Sequence, residues 1–328
     1  MIAISLTVHE APHVVMELMS NIRYTYNGNA FLIVHVSADF KEKFLKYAAT
    51  LGVSMHDPDI YWNDLNMSTK WGNTLPMQIS NFLYLTMTLK RPFTHFQILS
   101  PANLVVSTDM DIYIKNFDIV LNNANPITQK WRWYTNALQD PLYTHFRERY
   151  GLGEPVAVRV DGMAVRADIF GGFVRRLLDL YSLDTMRNLS ATYPQEETII
   201  PTYLARFKEF AYRIGPTRSR TFEPSQAPLT LDMAERILNE GKIAYLKRIP
   251  SQRSNPIRRM ILERRSLGVG GLPNIPPRPA QLLNPSPPAE PAQGNEDETD
   301  ELGPDIPNAP LESPRADPDI CPHPASRK

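Results

Sequence analysis

Residues 9–13 read HEAPH and match the H-E-x-x-H pattern of zinc peptidases. In that pattern two histidines on one face of a helix bind the metal, and the glutamate lies beside the metal-bound water. Pro12 lies between the two histidines, where it would remove a helix hydrogen bond and disfavour a helical Ala11. Because proline is accepted in the first turn of a helix, the stretch favours a strand ending at Val8 and a helix beginning at Pro12. It does not predict a zinc site.

His9 then directly follows the first strand. It is either an ordinary loop histidine or a ligand-facing residue, since open α/β sheets bind their ligands at the carboxyl ends of their strands. We include His9 among the candidate binding residues.

A second motif is Asp109-Met-Asp111, which follows an apolar run. Paired aspartates of this type hold a divalent metal on the diphosphate in many nucleotide-sugar transferases. The same residues fit a helix start, with Thr108 as N-cap and Asp111 three positions later, ahead of a helix over 112–117. The capping interpretation is favoured, and a metal-dependent transferase remains an alternative.

Two adjacent acids, Glu196 and Glu197, precede an apolar stretch. They are either acids of a helix first turn or a carboxylate in a cleft that takes a proton from a substrate. In both cases the helix dipole is expected to keep Glu197 ionised.

Aromatic and basic side chains form further clusters. Trp131 and Trp133 could stack on sugar rings or pack in the core, and Asp161 precedes Gly162 in a predicted turn between strands. Arg220, close to Arg218, could bind an anion or belong to a solvated loop.

Strand and helix patterns alternate over residues 1–270, which predicts an α/β fold with a mostly parallel sheet. Predicted strands cover 2–8, 30–37, 94–100 and 242–249, with strands also expected around residue 162. Predicted helices cover 12–24, 39–51, 73–89, 168–182, 196–207, 230–240 and 256–266.

Composition changes near residue 270. Residues 272–328 hold 15 of the 30 prolines, 10 acidic and 4 basic residues. Such a segment buries too little apolar surface to offset its ordering entropy, so 271–328 is predicted to be a disordered Pro-rich acidic tail.

The remaining residues are mildly basic, which suits a small anionic ligand and does not indicate nucleic acid binding. The single cysteine, Cys321, and the lack of a signal-like or membrane-spanning segment predict a cytoplasmic protein.

Several segments in order resemble glycosyltransferase family 14, the core-2/I-branching β-1,6-N-acetylglucosaminyltransferases and their xylosyltransferase relatives. These are the first strand with H-x-x-P, IVHVS, KWGNTLPMQISNFLYLTM, FTHFQILSPANLVVSTDMDIYI, YPQEETIIPT and IAYLKRI, together spanning about 2–265. The family block S-G-x-D reads Ser100-Pro-Ala-Asn103 here, which removes a carboxylate. The cysteines and membrane anchor of animal members are absent from this sequence.

The resemblance implies a GT-A-like nucleotide-sugar-binding fold over residues 1–270 and an inverting, metal-independent reaction. A UDP-sugar, with N-acetylglucosamine or xylose as the sugar, would be the donor, and a glycan hydroxyl the acceptor. Glu197 matches the glutamate that acts as base. Lys247 and Arg248 match the basic position that stabilises the leaving diphosphate.

Ser100 and Asn103 occupy the block that the family uses near the donor, and Asp161 lies where the family contacts donor or acceptor sugar. The rival hypothesis from another class is a non-catalytic module that binds glycans or nucleotides. The loss of the carboxylate at Asn103 keeps that alternative open.

Overall fold

The computed structural model describes residues 1–266 except 10–11, 51–55, 66, 70–71, 123–124, 129–130, 190–191, 210–211, 222–228, 248 and 250–254. The chain divides into two units, Met1–Pro287 and Pro288–Lys328, and every described residue belongs to the first. The predicted tail over 271–328 lies outside the described residues.

The first unit is built on a seven-stranded sheet with the order β10-β6-β9-β4-β1-β2-β3. Strand β9 alone of these seven runs antiparallel to its neighbours, so the predicted mostly parallel α/β sheet is confirmed. A three-stranded sheet, β11-β12-β5, and a two-stranded pair, β7-β8, complete the described strands. The strands are β1 (Ile2–Val8), β2 (Ala30–Val36), β3 (Ile60–Asn63), β4 (His95–Leu99), β5 (Asn103–Val105), β6 (Ile119–Val120), β7 (Asn125–Pro126), β8 (Val156–Ala157), β9 (Ala164–Arg166), β10 (Ile214–Gly215), β11 (Ser219–Thr221) and β12 (Tyr245–Lys247).

Helices cover both faces of the large sheet. They are α1 (Pro12–Thr25), α2 (Ala38–Thr50), α3 (Leu75–Leu83), α4 (Met110–Lys115), α5 (Tyr134–Gln139), α6 (Pro141–Arg149), α7 (Ala167–Leu178), α8 (Leu183–Asn188), α9 (Glu196–Ala205), α10 (Leu231–Asn239) and α11 (Pro256–Ser266). A π-helical turn, Tyr84–Thr88, extends α3, and a 3-10 turn, Arg206–Glu209, follows α9.

Both faces of the central strands are buried because alternate side chains enter different cores. In β2, Phe31 and Ile33 pack in the cluster under α3, α7 and α9, whereas Leu32 and Val34 pack in the cluster under α1. This two-sided burial explains why the strands read as continuous apolar runs rather than as alternating ones.

The carboxyl ends of β1 and β4 lie side by side, because Leu6 of β1 is in register with Leu99 of β4. Helix α1 begins at Pro12, as its residue type requires. The segments that follow these two strands therefore meet at one edge of the sheet.

The helix after residue 108 differs from the prediction. It spans Met110–Lys115, and its N-cap is Asp109 in a left-handed conformation, at φ 59° and without a side-chain cap hydrogen bond. The predicted N-cap at Thr108 and helix start at residue 112 are therefore wrong, because the helix begins at Met110 and its N-cap is Asp109. Thr108 Oγ1 donates to the Asp109 carboxylate. Among the described helices, none is long and apolar enough to cross a membrane.

Candidate functional site

A cavity of about 1070 Å³ opens at the carboxyl edge of β1 and β4. It brings together seven of the residues predicted from sequence: His9, Ser100, Trp131, Trp133, Asp161, Glu197 and Lys247. They come from segments that are distant in the chain, including α9 for Glu197 and β12 of the three-stranded sheet for Lys247, and the fold brings these segments together. The carboxyl edge is the one at which open α/β sheets bind ligands.

Two predicted binding residues, Asn103 and Arg220, do not line the cavity. Asn103 is buried in β5 opposite Lys247, and its Oδ1 accepts a hydrogen bond from Ser100 N at 2.7 Å, so it shapes the turn under the cavity instead of lining it. Arg220 is exposed and does not line the cavity, whereas its neighbour Thr221 does, because successive strand residues face opposite ways. Arg248 lies outside the described residues.

Helix α9 holds Glu197 at the cavity wall through a break in its own hydrogen bonding. Pro201 has no N–H with which to bond the Glu197 carbonyl one turn earlier. That carbonyl accepts from Val158 N at 2.9 Å instead, and Val158 also lines the cavity. Because Pro201 leaves this carbonyl free, the start of α9 is hydrogen-bonded to the segment that follows β8.

Asp140 fixes the segment that leads into α9. Its Oδ2 accepts from Tyr193 Oη and Gln195 Nε2, both at 2.7 Å, and its Oδ1 caps α6 through Leu142 N at 2.9 Å. Gly72 docks on the same segment, where Gln195 N donates to its carbonyl at 3.1 Å.

No residue with a side chain fits easily at position 72. Gly72 has φ +79°, and an added Cβ would lie 2.7 Å from the Tyr193 carbonyl oxygen. No sequence pattern predicts that Asp140 supports this segment. The Trp-Gly pair at 71–72, by contrast, belongs to the family resemblance.

Burial raises the pKa of Glu197 to about 7, and the neighbouring charges of Glu196 and Asp161 act in the same direction. Lys247 and Arg159 lower it, by less than the other groups raise it. Burial and two nearby carboxylates therefore oppose the helix dipole, which was expected to keep Glu197 ionised. Burial also raises the pKa of Glu196.

A cation faces this acidic wall. Lys247 Nζ donates to Asp161 Oδ2 at 2.6 Å, and the lysine side chain is 24% exposed while the aspartate is 9% exposed. An ammonium carries three donors, so Lys247 can bind a further anion while it keeps its contact with Asp161.

The two tryptophans line the cavity instead of packing in the described cores. Both are half-buried, and the Arg132 guanidinium lies 4.5 Å from the ring centroid of Trp133. Their exposed ring area suits stacking against an apolar ligand face.

The aspartate pair of the D-x-D motif lies elsewhere. Asp111 is buried and accepts from Asn27 Nδ2 at 3.0 Å and from Asn29 Nδ2 at 2.9 Å, and Asp109 accepts from Asn27 as well. The two asparagines precede β2, at the amino edge of the parallel strands and the far end from the cavity. Neither aspartate lines the cavity, so this pair does not lie where it could hold a metal ion on a ligand bound there.

Within the part of the chain that the structure describes, no three His, Cys, Asp or Glu residues cluster in a way that could hold a metal ion. His9 is exposed at the cavity, whereas His13 lies on α1 against Tyr47, so the two histidines of HEAPH do not form a pair.

No protein-family model matches the chain, and no curated protein matches it in sequence. Among solved structures, the galactosyltransferase LgtC in complex with donor and acceptor sugar analogues is 10% identical. That match covers 84% of this chain and 98% of the other, with a TM-score of 0.35. Similarity at this level establishes neither a family nor a function.

Proposed function

We propose that this protein is an inverting glycosyltransferase with a GT-A-like fold that moves a sugar from a UDP-sugar to a glycan hydroxyl without a metal ion. The observation that carries the proposal is Glu197 in the cavity wall, with a pKa of about 7 and with the Lys247–Asp161 pair in the same cavity. A base and a fixed cation in one cavity are what a one-step displacement on a sugar phosphate needs.

The reaction follows from these two groups. The acceptor oxygen attacks the anomeric carbon, and the Glu197 carboxylate takes the proton that this oxygen loses. The bond between the anomeric carbon and the diphosphate oxygen breaks, and its electron pair leaves with UDP. Lys247 stabilises the negative charge that develops on the diphosphate.

A base works best when its pKa lies near the working pH, because it must be ionised yet able to hold the proton. Burial of Glu197 supplies that value here. The half-buried Trp131 and Trp133 in the cavity wall are suited to hold the acceptor glycan, since sugar rings stack on aromatic faces through their apolar sides.

The test is UDP release from UDP-N-acetylglucosamine and from UDP-xylose, with and without a mixture of glycan acceptors. We expect the parent protein to turn over one of these donors and Glu197→Gln to lose about 10²-fold or more in kcat. UDP binding should persist in Glu197→Gln, because the substitution keeps the shape of the side chain.

Asp111→Asn and the addition of a chelator serve as controls for the metal-dependent alternative. The proposal expects both to leave turnover unchanged. UDP binding without any turnover would instead favour a binding module, and loss of turnover on chelation would contradict the metal-free mechanism.

A further inference from the structure

Gln78 lies on the second turn of α3 and lines the cavity, yet it is only 2% exposed. Its Oε1 accepts from the Ser5 hydroxyl of β1 at 2.5 Å. Among the residues that the structure describes, none accepts a hydrogen bond from Gln78 Nε2. A buried amide therefore borders the cavity with its oxygen occupied and its donor unused.

The orientation of this amide is set by a chain of hydrogen bonds that starts at the backbone. Asn81 is fully buried, and its Nδ2 is directed at the carbonyl oxygens of Leu6 and Ile33, each at 3.4 Å. Carbonyls only accept, so the amide nitrogen of Asn81 must face them. Its Oδ1 correspondingly accepts from Asn63 Nδ2 at 2.9 Å.

Asn81 Nδ2 also donates to Ser5 Oγ at 2.8 Å. Because Ser5 receives that hydrogen bond, its own proton is available for Gln78 Oε1. The amide of Gln78 is thereby fixed with its oxygen toward the sheet and its NH₂ group away from it, toward the cavity.

Such a network is costly in an interface that is otherwise apolar. Helix α3 reads LPMQISNFL, and most of its apolar residues pack in the cluster under α3, α7 and α9. Its polar residues instead bond β1 and β3, through Ser5 and Asn63. Buried polar groups cost free energy unless they are satisfied. Gln78 Nε2 is not among the fully buried atoms that lack a partner, so it is accessible from the cavity, where an acceptor can reach it. A ligand acceptor at this position would complete the network.

We propose that Gln78 Nε2 donates a hydrogen bond to an acceptor oxygen of the bound nucleotide sugar. Ser5 is the positioning residue that holds the Gln78 amide in the orientation which this hydrogen bond requires. The acceptor is a carbonyl or hydroxyl oxygen on either the uracil base or the sugar. This inference rests on the proposed function, because it specifies how the same cavity recognises its donor.

The experiment measures the affinity of the full chain for UDP and for UDP-N-acetylglucosamine by calorimetry. Gln78→Met keeps the length of the side chain and removes the donor, and we expect about tenfold weaker binding. A loss already present with UDP assigns the acceptor to the nucleotide, and a loss seen only with the nucleotide sugar assigns it to the sugar.

Ser5 does not line the cavity, so Ser5→Ala tests positioning separately. It should weaken the same ligand about threefold while Gln78→Met Ser5→Ala binds no more weakly than Gln78→Met alone. A role in stability alone would lower the melting temperature of Ser5→Ala without changing the affinity of the folded protein.

Ser80→Ala is the matched control, because Ser80 lies on the same helix and in the same network but away from the cavity. Unchanged affinity of Gln78→Met for both ligands, with Ser80→Ala also unchanged, would overturn the inference. A parent protein that binds neither ligand would instead overturn the proposed function, so the two failures are distinguishable.

Discussion

The neighbouring acid Glu196 sets part of the pKa of Glu197, and replacing it gives the sharpest prediction of this site. Burial is the largest cause of the raised pKa of Glu197, and the charge of Glu196 is the next. Glu196→Gln removes that charge while keeping the size of the side chain. We therefore expect the pKa of Glu197 to fall and Glu197 to remain the base.

The size of the effect follows from the pKa of about 7. Glu197 must be ionised to accept a proton, so activity rises with pH through this value. About one tenth of the parent molecules carry an ionised Glu197 one pH unit below the midpoint, and about nine tenths one unit above it. In Glu196→Gln the midpoint moves below about 7 but stays above 4.5, because burial remains.

The assay is the pH dependence of kcat/KM for UDP-sugar turnover, with a ¹³C NMR titration of the Glu197 carboxyl as a readout that needs no substrate. The acid limb should shift to lower pH in Glu196→Gln, so the variant keeps more of its plateau activity near pH 6. Glu148→Gln, an exposed acid on α6 away from the cavity, is the control and should leave the profile unchanged.

Two results would refute this reasoning. An acid limb at the same pH in parent and variant would mean that the charge of Glu196 does not raise the pKa of the group that controls the rate. A large fall in the plateau kcat/KM of Glu196→Gln, with the acid limb of the residual activity at the parent pH, would make Glu196 the better candidate for the base.

Three further substitutions test the supports of the site. Asp140→Ala should lower the free energy of unfolding by about 3 kcal/mol in urea denaturation, since three donors lose a charged acceptor, and a change below about 1 kcal/mol would contradict its anchoring role. Gly72→Ala should cost more than about 1 kcal/mol because of its φ of +79° and its contact with Tyr193, and thermal unfolding at or above the parent temperature would refute that. Lys247→Met should weaken UDP binding about tenfold with a reduced salt dependence in calorimetry, and parent-like affinity would remove Lys247 from the diphosphate site.

The long elements could be predicted from sequence because their patterns are local. Strands β1, β2 and β4 are continuous apolar runs, and Pro12 fixes the start of α1. The three-residue strands β5 and β11 were not predicted, because they exist only by pairing with β12, which is more than 100 residues from β5. Short strands of this kind carry no periodicity of their own.

Some residues of the candidate site could likewise be predicted from the sequence, and others could not. His9 could be placed at the cavity because it directly follows the first strand. Glu197 and Lys247 were predicted from the family resemblance, and the structure places Glu197 in the first turn of α9 and Lys247 in β12, both at the cavity. Asp140 and Gln78 could not be predicted, because their roles depend on hydrogen bonds to residues 53 to 73 positions away in the chain.

The Asp109–Asp111 motif is a case in which the sequence spacing did not predict the contacts that the structure shows. Its spacing fits both a metal site and a helix cap, but the N-cap is Asp109 instead of Thr108, and neither aspartate lines the cavity. The asparagines before β2 bind these aspartates at the other edge of the sheet, and the sequence spacing contains no information about that contact.

A crystal structure of the full chain with bound UDP tests the central claim most directly. The account predicts the diphosphate in the cavity at the carboxyl edge of β1 and β4, with a phosphate oxygen in hydrogen-bond distance of Lys247 Nζ and Glu197 facing the site of the missing sugar. UDP bound outside this cavity, or bound with its diphosphate away from Lys247, would contradict it.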